Sequence, residues 1–283
     1  MGPSRNKQQI AVITDLEDDM PYLLKSAVSF AKMISGEVQV LSVKKPTQVI
    51  GKGNQLSAMR SINQNYILTD KRLKSIVLPI MEKYSVSINY SSTFGNTKSE
   101  IERYLRANKP DILVLGRRKS KPFNTADDRI INFVLNIFEG TVLIVSPNKG
   151  LEPGKKIGIG SLNCSEAAFA TSFTKDLFFN TNSSLKSFNL LETSDVKQAV
   201  GNVLGRKTIN YVFDHSENTV KKLPDYLSKS KIDLLFMERR RREKVSLSKS
   251  FSTYDIVRKS DINLLIIGKS QTYYNYNTNL KIA

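Results

Sequence analysis

Short apolar runs alternate with helical stripes along this chain. "QIAVITDL" (9–16), "EVQVLSV" (37–43), "SINYSS" (87–92), "DILVLG" (111–116) and "TVLIVS" (141–146) have strand length. "ILVL" has no polar alternation, which is the pattern of a strand covered on both faces. Between the runs, "PYLLKSAVSFAKMISG" (21–36) places Leu23, Leu24, Ala27, Val28, Ala31 and Ile34 on one helical face. Pro21 suits a first turn, and Gly36 is expected to close the helix. Leu73, Ile76, Val77, Ile80, Met81 and Tyr84 repeat at helical spacing, with a kink expected at Pro79. "TKSEIERYLRAN" (97–108) and "RIINFVLNIF" (129–138) complete the helices of this half.

The same order then recurs. "KIGIGSLN" (156–163), "SLKSFNLL" (184–191), "INYVFD" (209–214), "DLLFM" (233–237) and "NLLIIG" (263–268) read as strands. "SEAAFATSFTKDLFF" (165–179) and "TVKKLPDYLSKS" (219–230) read as helices, and "YDIVRKS" (254–260) stands before the last strand. "DILVLGRRKSK" (111–121) and "DLLFMERRRREK" (233–244) both run from an aspartate through a strand into arginines, at an offset of 122. "TVLIVSP" and "NLLIIGKS" repeat that offset, whereas the first strands lie about 146 apart. A fixed order at near-fixed spacing is the mark of internal duplication. The first copy is longer by about 24 residues, and polar residues 47–72 have no counterpart.

Strands separated by helices predict parallel sheets with helices on both faces. The expected fold class is α/β: two tandem Rossmann-like (HUP-type) domains, each a five-stranded parallel sheet. Residues 1–147 form the first domain and 157–270 the shorter second. "NKGLEPGKK" (148–156) is the linker and 271–283 a tail. The fifth strands, apolar and at a sheet edge, predict an intramolecular pseudo-dimer through 141–146 and 263–268, with a homodimer as a further possibility.

Composition narrows the chemistry. One cysteine (Cys164) and one histidine (His215) leave no disulfide and no Cys/His zinc site. No nucleophile–base constellation stands out, so a catalyst is not expected. No apolar run spans a bilayer, and "MGPSRNKQQ" has no apolar core after its charges, so membrane insertion and secretion are not expected and a cytoplasmic location is. The net charge is +17, shared by both halves: 22 Lys and Arg against 13 Asp and Glu through Lys149, then 21 against 13. Such a surface attracts nucleotides, nucleic acid or anionic lipid. Both arginine clusters follow a fourth strand, and open parallel sheets bind ligands beyond the carboxyl ends of their strands. An anionic ligand, nucleic acid, an acidic partner and a solvated loop are the alternatives for them. "GKGN" (51–54) is too short for a Walker loop.

Element order, Asp15 closing the first strand, "KPDILVLG" before a basic loop, and a helix leading into "TVLIVSP" resemble the universal stress protein family, tandem type, over 9–146 and 156–268. The family's ATP-wrapping signature is Gly, two residues, Gly, nine residues, then Gly followed by Ser or Thr. Here Gly116 holds the first position, but Lys119 replaces the second glycine and Arg129-Ile130 the final pair. In the second half Glu238, Arg241 and Phe251 replace all three glycines, and only Ser252 survives. Asp15 matches the acidic residue near the nucleotide, where Ser161 stands in the second half. The resemblance implies a regulatory stress-response module that binds ATP or another adenine nucleotide, if any, in the first half. Its implied contacts are Asp15, Val43, Gly116, Arg117, Arg118, Ser120 and Thr125, with Arg239, Arg240 and Ser252 in the second half. Arg117, Arg118, Lys119 and Lys121 would replace backbone amides as phosphate ligands, or else fill the space that glycine leaves. A weak ATPase is the alternative activity, and a basic scaffold for nucleic acid or acidic proteins the alternative role.

Overall fold

The computed structural model describes residues 7–16, 20–45, 55–117, 126–181, 184–191, 207–214, 217–239 and 261–268. The first half runs β1 (Gln9–Thr14), α1 (Met20–Ile34), β2 (Glu37–Lys44), α2 (Gln55–Tyr84), β3 (Ile88–Phe94), α3 (Thr97–Asn108), β4 (Ile112–Gly116), α4 (Ala126–Ile137) and β5 (Thr141–Val145). The second runs β6 (Ile159–Leu162), a 3₁₀ turn (Glu166–Phe169), α5 (Thr174–Phe179), β7 (Leu185–Leu191), β8 (Thr208–Asp214), α6 (Glu217–Lys229), β9 (Leu234–Glu238) and β10 (Asn263–Ile267).

The ten described strands form one sheet in the order β3-β2-β1-β4-β5-β10-β9-β6-β7-β8. Each half is parallel within itself. The two meet where β5 pairs antiparallel with β10, with Leu143 opposite Leu265. Reading outward from that seam, both halves have the same strand order. The central strands are buried without interruption, as their unbroken apolar runs predict. One core joins α1, α2 and α5 to one face of the sheet, and a second joins α3, α4 and α6 to the other. Phe30 of α1 meets Phe173 edge-on across the halves, with centroids 6.1 Å apart.

Ladder register corrects the alignment of the copies. Ile112 faces Ile10, and Leu234, 122 residues later, faces Ile159, so the first strands are offset by 149 and not by about 146. Val40 pairs with Tyr90, 50 residues on, whereas Ser187 pairs with Asn210, 23 residues on. The first half is therefore longer by 27 between its second and third strands, the interval in which residues 47–72 lie. Gln55 onward is helical: α2 has 30 residues and begins well before Leu73. The helix continues through Pro79. At ~1.5 Å per residue α2 is about 45 Å long, against about 23 Å for seven-residue β3. Since α2 enters β3 at its own C-terminus, the surplus overhangs the carboxyl end of the sheet, and Tyr66 packs on Phe94 there, centroids 6.0 Å apart.

The helix expected over 165–179 is broken into the 3₁₀ turn and six-residue α5. Thr171 and Thr174 hydroxyls bond each other in the gap, and hydroxyl side chains compete with the helical ladder. Gly36 closes α1, its amide donating to the Ala31 carbonyl at 2.8 Å. Ser35, and not the glycine, takes the left-handed conformation (φ 56°), and a Cβ on Gly36 would lie 2.6 Å from Ile10 Cδ1 and 3.1 Å from the Gln8 carbonyl oxygen. The segment 148–156 is tied down: Leu151 is buried, and its amide donates to Ser26 Oγ at 2.9 Å.

Candidate functional site

The aspartates that open both fourth-strand repeats close the opposite end of the sheet. Asp111 accepts from the Gln9 amide at 2.8 Å, and Asp233 accepts from the Gly158 amide at 2.7 Å. These positions correspond under the two offsets, so the repeated aspartate is a strand cap in both halves.

In a 3-2-1-4-5 sheet the chain departs in opposite directions from the first and fourth strands, and a crevice opens between their carboxyl ends. In the first half Asp15 and Gly116 stand there. β1 ends in a tight turn, where the Leu16 amide donates to Thr14 Oγ1 at 3.0 Å. Leu16 is fully buried with φ 64°. A bulky side chain in the left-handed region is strained, and it fixes the direction in which the chain leaves β1. Nothing in the sequence signals this turn. Val43 pairs with Thr93, and its side chain is buried among Leu41, Ile101 and Leu115, so it offers a ligand only backbone. Arg118, Ser120, Thr125, Arg240 and Ser252 lie outside the described residues, as do Lys119, Lys121, His215 and "YDIVRKS".

The second half is filled differently. Register places Cys164, and not Ser161, opposite Asp15 in the repeat; Ser161 lies inside β6 and is buried. Cys164 donates its thiol to the Phe236 carbonyl at 3.3 Å. Burial, reinforced by the charge of Glu238, pushes that thiol far above the ordinary range, so it is no nucleophile. Glu238, the counterpart of Gly116, turns its carboxylate onto the Ser165 amide (3.1 Å) and the Ser165 hydroxyl. A fixed carboxylate thus occupies the mouth of this half, satisfying donors that an outside anion would use and repelling its charge.

Arg117 and Arg239 point elsewhere than expected. Arg117 lies 3.8 Å from Asp261, and its side chain is only 12% exposed. The Arg239 guanidinium donates to the carbonyls of Phe138 and Gly140, the latter at 3.2 Å. Both side chains thus bind across the seam and not into their own crevices. Among the described residues there is no cluster able to hold a metal ion.

Residues 7–146 match the model of the universal stress protein family. The chain belongs to the universal stress protein family through its first half. A universal stress protein from Archaeoglobus fulgidus DSM 4304 is similar at 15% identity and a TM-score of 0.64, covering 93% of this chain and 97% of that one. A putative universal stress protein from Pseudomonas aeruginosa UCBPP-PA14 is similar at 11% identity and a TM-score of 0.50, covering 93% of each chain. A functionally unknown protein from Pseudomonas aeruginosa PAO1 aligns at 10% identity, a TM-score of 0.52 and 92% coverage of each chain. At these identities the likeness establishes the fold: two Rossmann-like units of one mostly parallel sheet. No curated protein matches the chain. Among the described residues no helix is long and apolar enough to cross a membrane.

Proposed function

We propose that this universal stress protein is a regulatory binding module with one working anion site, in the first half, and that the second half is its structural partner. An adenine nucleotide is the ligand class that fits best. The observation that carries this reading is the contrast between Gly116 and Glu238 at the same place in the repeat. Glycine leaves backbone N–H groups accessible to a phosphate; the glutamate supplies its own anion. Asp15 would orient the nucleoside side, and Arg118, Lys119, Ser120, Lys121 and Thr125 would supply phosphate contacts, since Arg117 is engaged elsewhere. The reading is a binder and not a catalyst, acting in the cytoplasm. Because β5 and β10 pair with each other, a homodimer of the whole chain would need another surface.

Thermal shift with ATP, ADP and AMP tests this. A ligand at a hundred times its Kd adds about 2.7 kcal/mol of stability. Gly116→Glu, which puts a carboxylate where Glu238 stands in the second half, should abolish the shift, and the unliganded Tm of the variant, measured alongside, separates lost binding from a lost fold. No shift with any adenine nucleotide, or an undiminished shift in G116E, contradicts the reading. The charge of +17 favours a second reading, binding to nucleic acid or an acidic protein. Binding to random DNA that weakens steeply with salt, together with no nucleotide shift, would favour it instead.

A further inference from the structure

The two arginines that open the basic clusters are counterparts in the repeat: Arg239 follows Arg117 by 122 residues, as Glu238 follows Gly116. Their targets are counterparts too. Arg117 meets Asp261; Arg239 meets the carbonyls on either side of Glu139, which precedes Asp261 by the same 122 residues. Each arginine therefore leaves the end of a fourth strand, passes the antiparallel β5–β10 junction, and reaches the loop before the other half's fifth strand.

The surroundings are built for these contacts. Asp261 also accepts from Ser146 Oγ and from Asn148 Nδ2, the latter at 3.0 Å. Burial raises the affinity of that carboxylate for a proton, but the two hydrogen bonds and the charges of Arg117 and Lys149 outweigh it, and it is held below the ordinary range. Around Arg239 the approach is close: a Cβ on Gly268 would sit 1.9 Å from the Glu139 carbonyl oxygen. Burial makes the Arg239 guanidinium less basic, an effect opposed by the charge of Glu139. Such a side chain does not face an open crevice.

We propose that Arg117 and Arg239 form a reciprocal pair of clamps that lock the two halves at the seam, and that neither is a phosphate ligand. The basic clusters are thereby divided by function. The first arginine of each belongs to the interface, and only the residues after it remain for an anion. The seam is then one peptide bond away from Gly116, so the site proposed above and the junction between the halves share a strand end. This assignment modifies that reading without depending on it.

The test is a thermal double-mutant cycle on the full chain with Arg117→Gln and Asp261→Asn, alongside Arg239→Lys and nucleotide titrations. Each single variant of the pair should lower Tm by a few degrees, and the double variant should fall no further than the more damaging single one. Arg239→Lys should lower Tm as well, because a single ammonium cannot reproduce the planar fork that reaches two carbonyls. Affinity for ATP in Arg117→Gln should stay within about threefold of the parent. Additive losses in the cycle, or a loss of ATP binding in Arg117→Gln at unchanged Tm, would overturn the assignment. If the parent chain binds no adenine nucleotide, the functional reading falls, and the clamp is decided by the cycle alone.

Discussion

Asn263 shows how much one buried polar residue specifies at this junction. It is fully buried at the start of β10. Its Oδ1 accepts from the Ser146 amide at 2.9 Å, and its Nδ2 donates to the carbonyls of Lys149 (2.6 Å) and Asp233 (2.8 Å). One side chain thus ties the end of β5, the connecting segment and the approach to β9 to β10. Replacement by alanine removes all three bonds and leaves the Ser146 amide buried without a partner. We expect Asn263→Ala to cost about 2 kcal/mol, read as a lower urea midpoint at unchanged slope. A change below about 0.5 kcal/mol would show that water replaces these bonds. At this scale the sequence was only partly legible. Asp111 and Asp233 stand out as a repeat, but their role as strand caps emerges only when the amides of Gln9 and Gly158 are brought beside them. Arginine after a fourth strand reads as a phosphate ligand because sequence supplies the position of the charge and not its direction. Cys164 does not stand out because the sequence repeat sets Ser161 against Asp15, whereas hydrogen-bond register moves the match by three residues.

Elements were more legible where burial alone decides them. Apolar runs locate the described strands, unbroken in β4, β5, β9 and β10 and mixed with polar residues in β3, β7 and β8, and their spacing exposes the duplication. Helices were legible where a stripe faces the sheet, as in α1 and the second part of α2. They were not where helix formation rests on few apolar contacts. The first turns of α2 are polar and read as an insertion loop, although they extend a helix already anchored by Leu73, Val77 and Ile80, all buried. Conversely, the stripe across 165–179 reads as one helix, but Thr171 and Ser172 interrupt it, and the Phe169 and Phe173 side chains are buried from two separate short pieces. Pro79 is the local cost within α2, since its ring removes one ladder bond and crowds the carbonyl of Ser75. It is exposed, so alanine fits without repacking. Pro79→Ala should raise stability by about 1 kcal/mol or more, seen as a higher urea midpoint and greater helical circular dichroism. A loss of stability would mean that Pro79 is required to seat α2 on β3.

For the whole molecule, duplication gives two crevices and sequence divergence has left them unequal. The shared architecture follows from the repeat: identical strand orders, counterpart strand caps, and fifth strands that cover each other's edge where each alone would be exposed. The inequality comes from two positions at the strand ends, Asp15 against Cys164 and Gly116 against Glu238, and from an insertion whose long helix extends past the carboxyl end of β3. Isothermal titration of the full chain with ATP, with Gly116→Glu as control, measures that inequality directly. The account predicts one nucleotide per chain and none for Gly116→Glu. Two nucleotides per chain, or one that persists in Gly116→Glu, would contradict it.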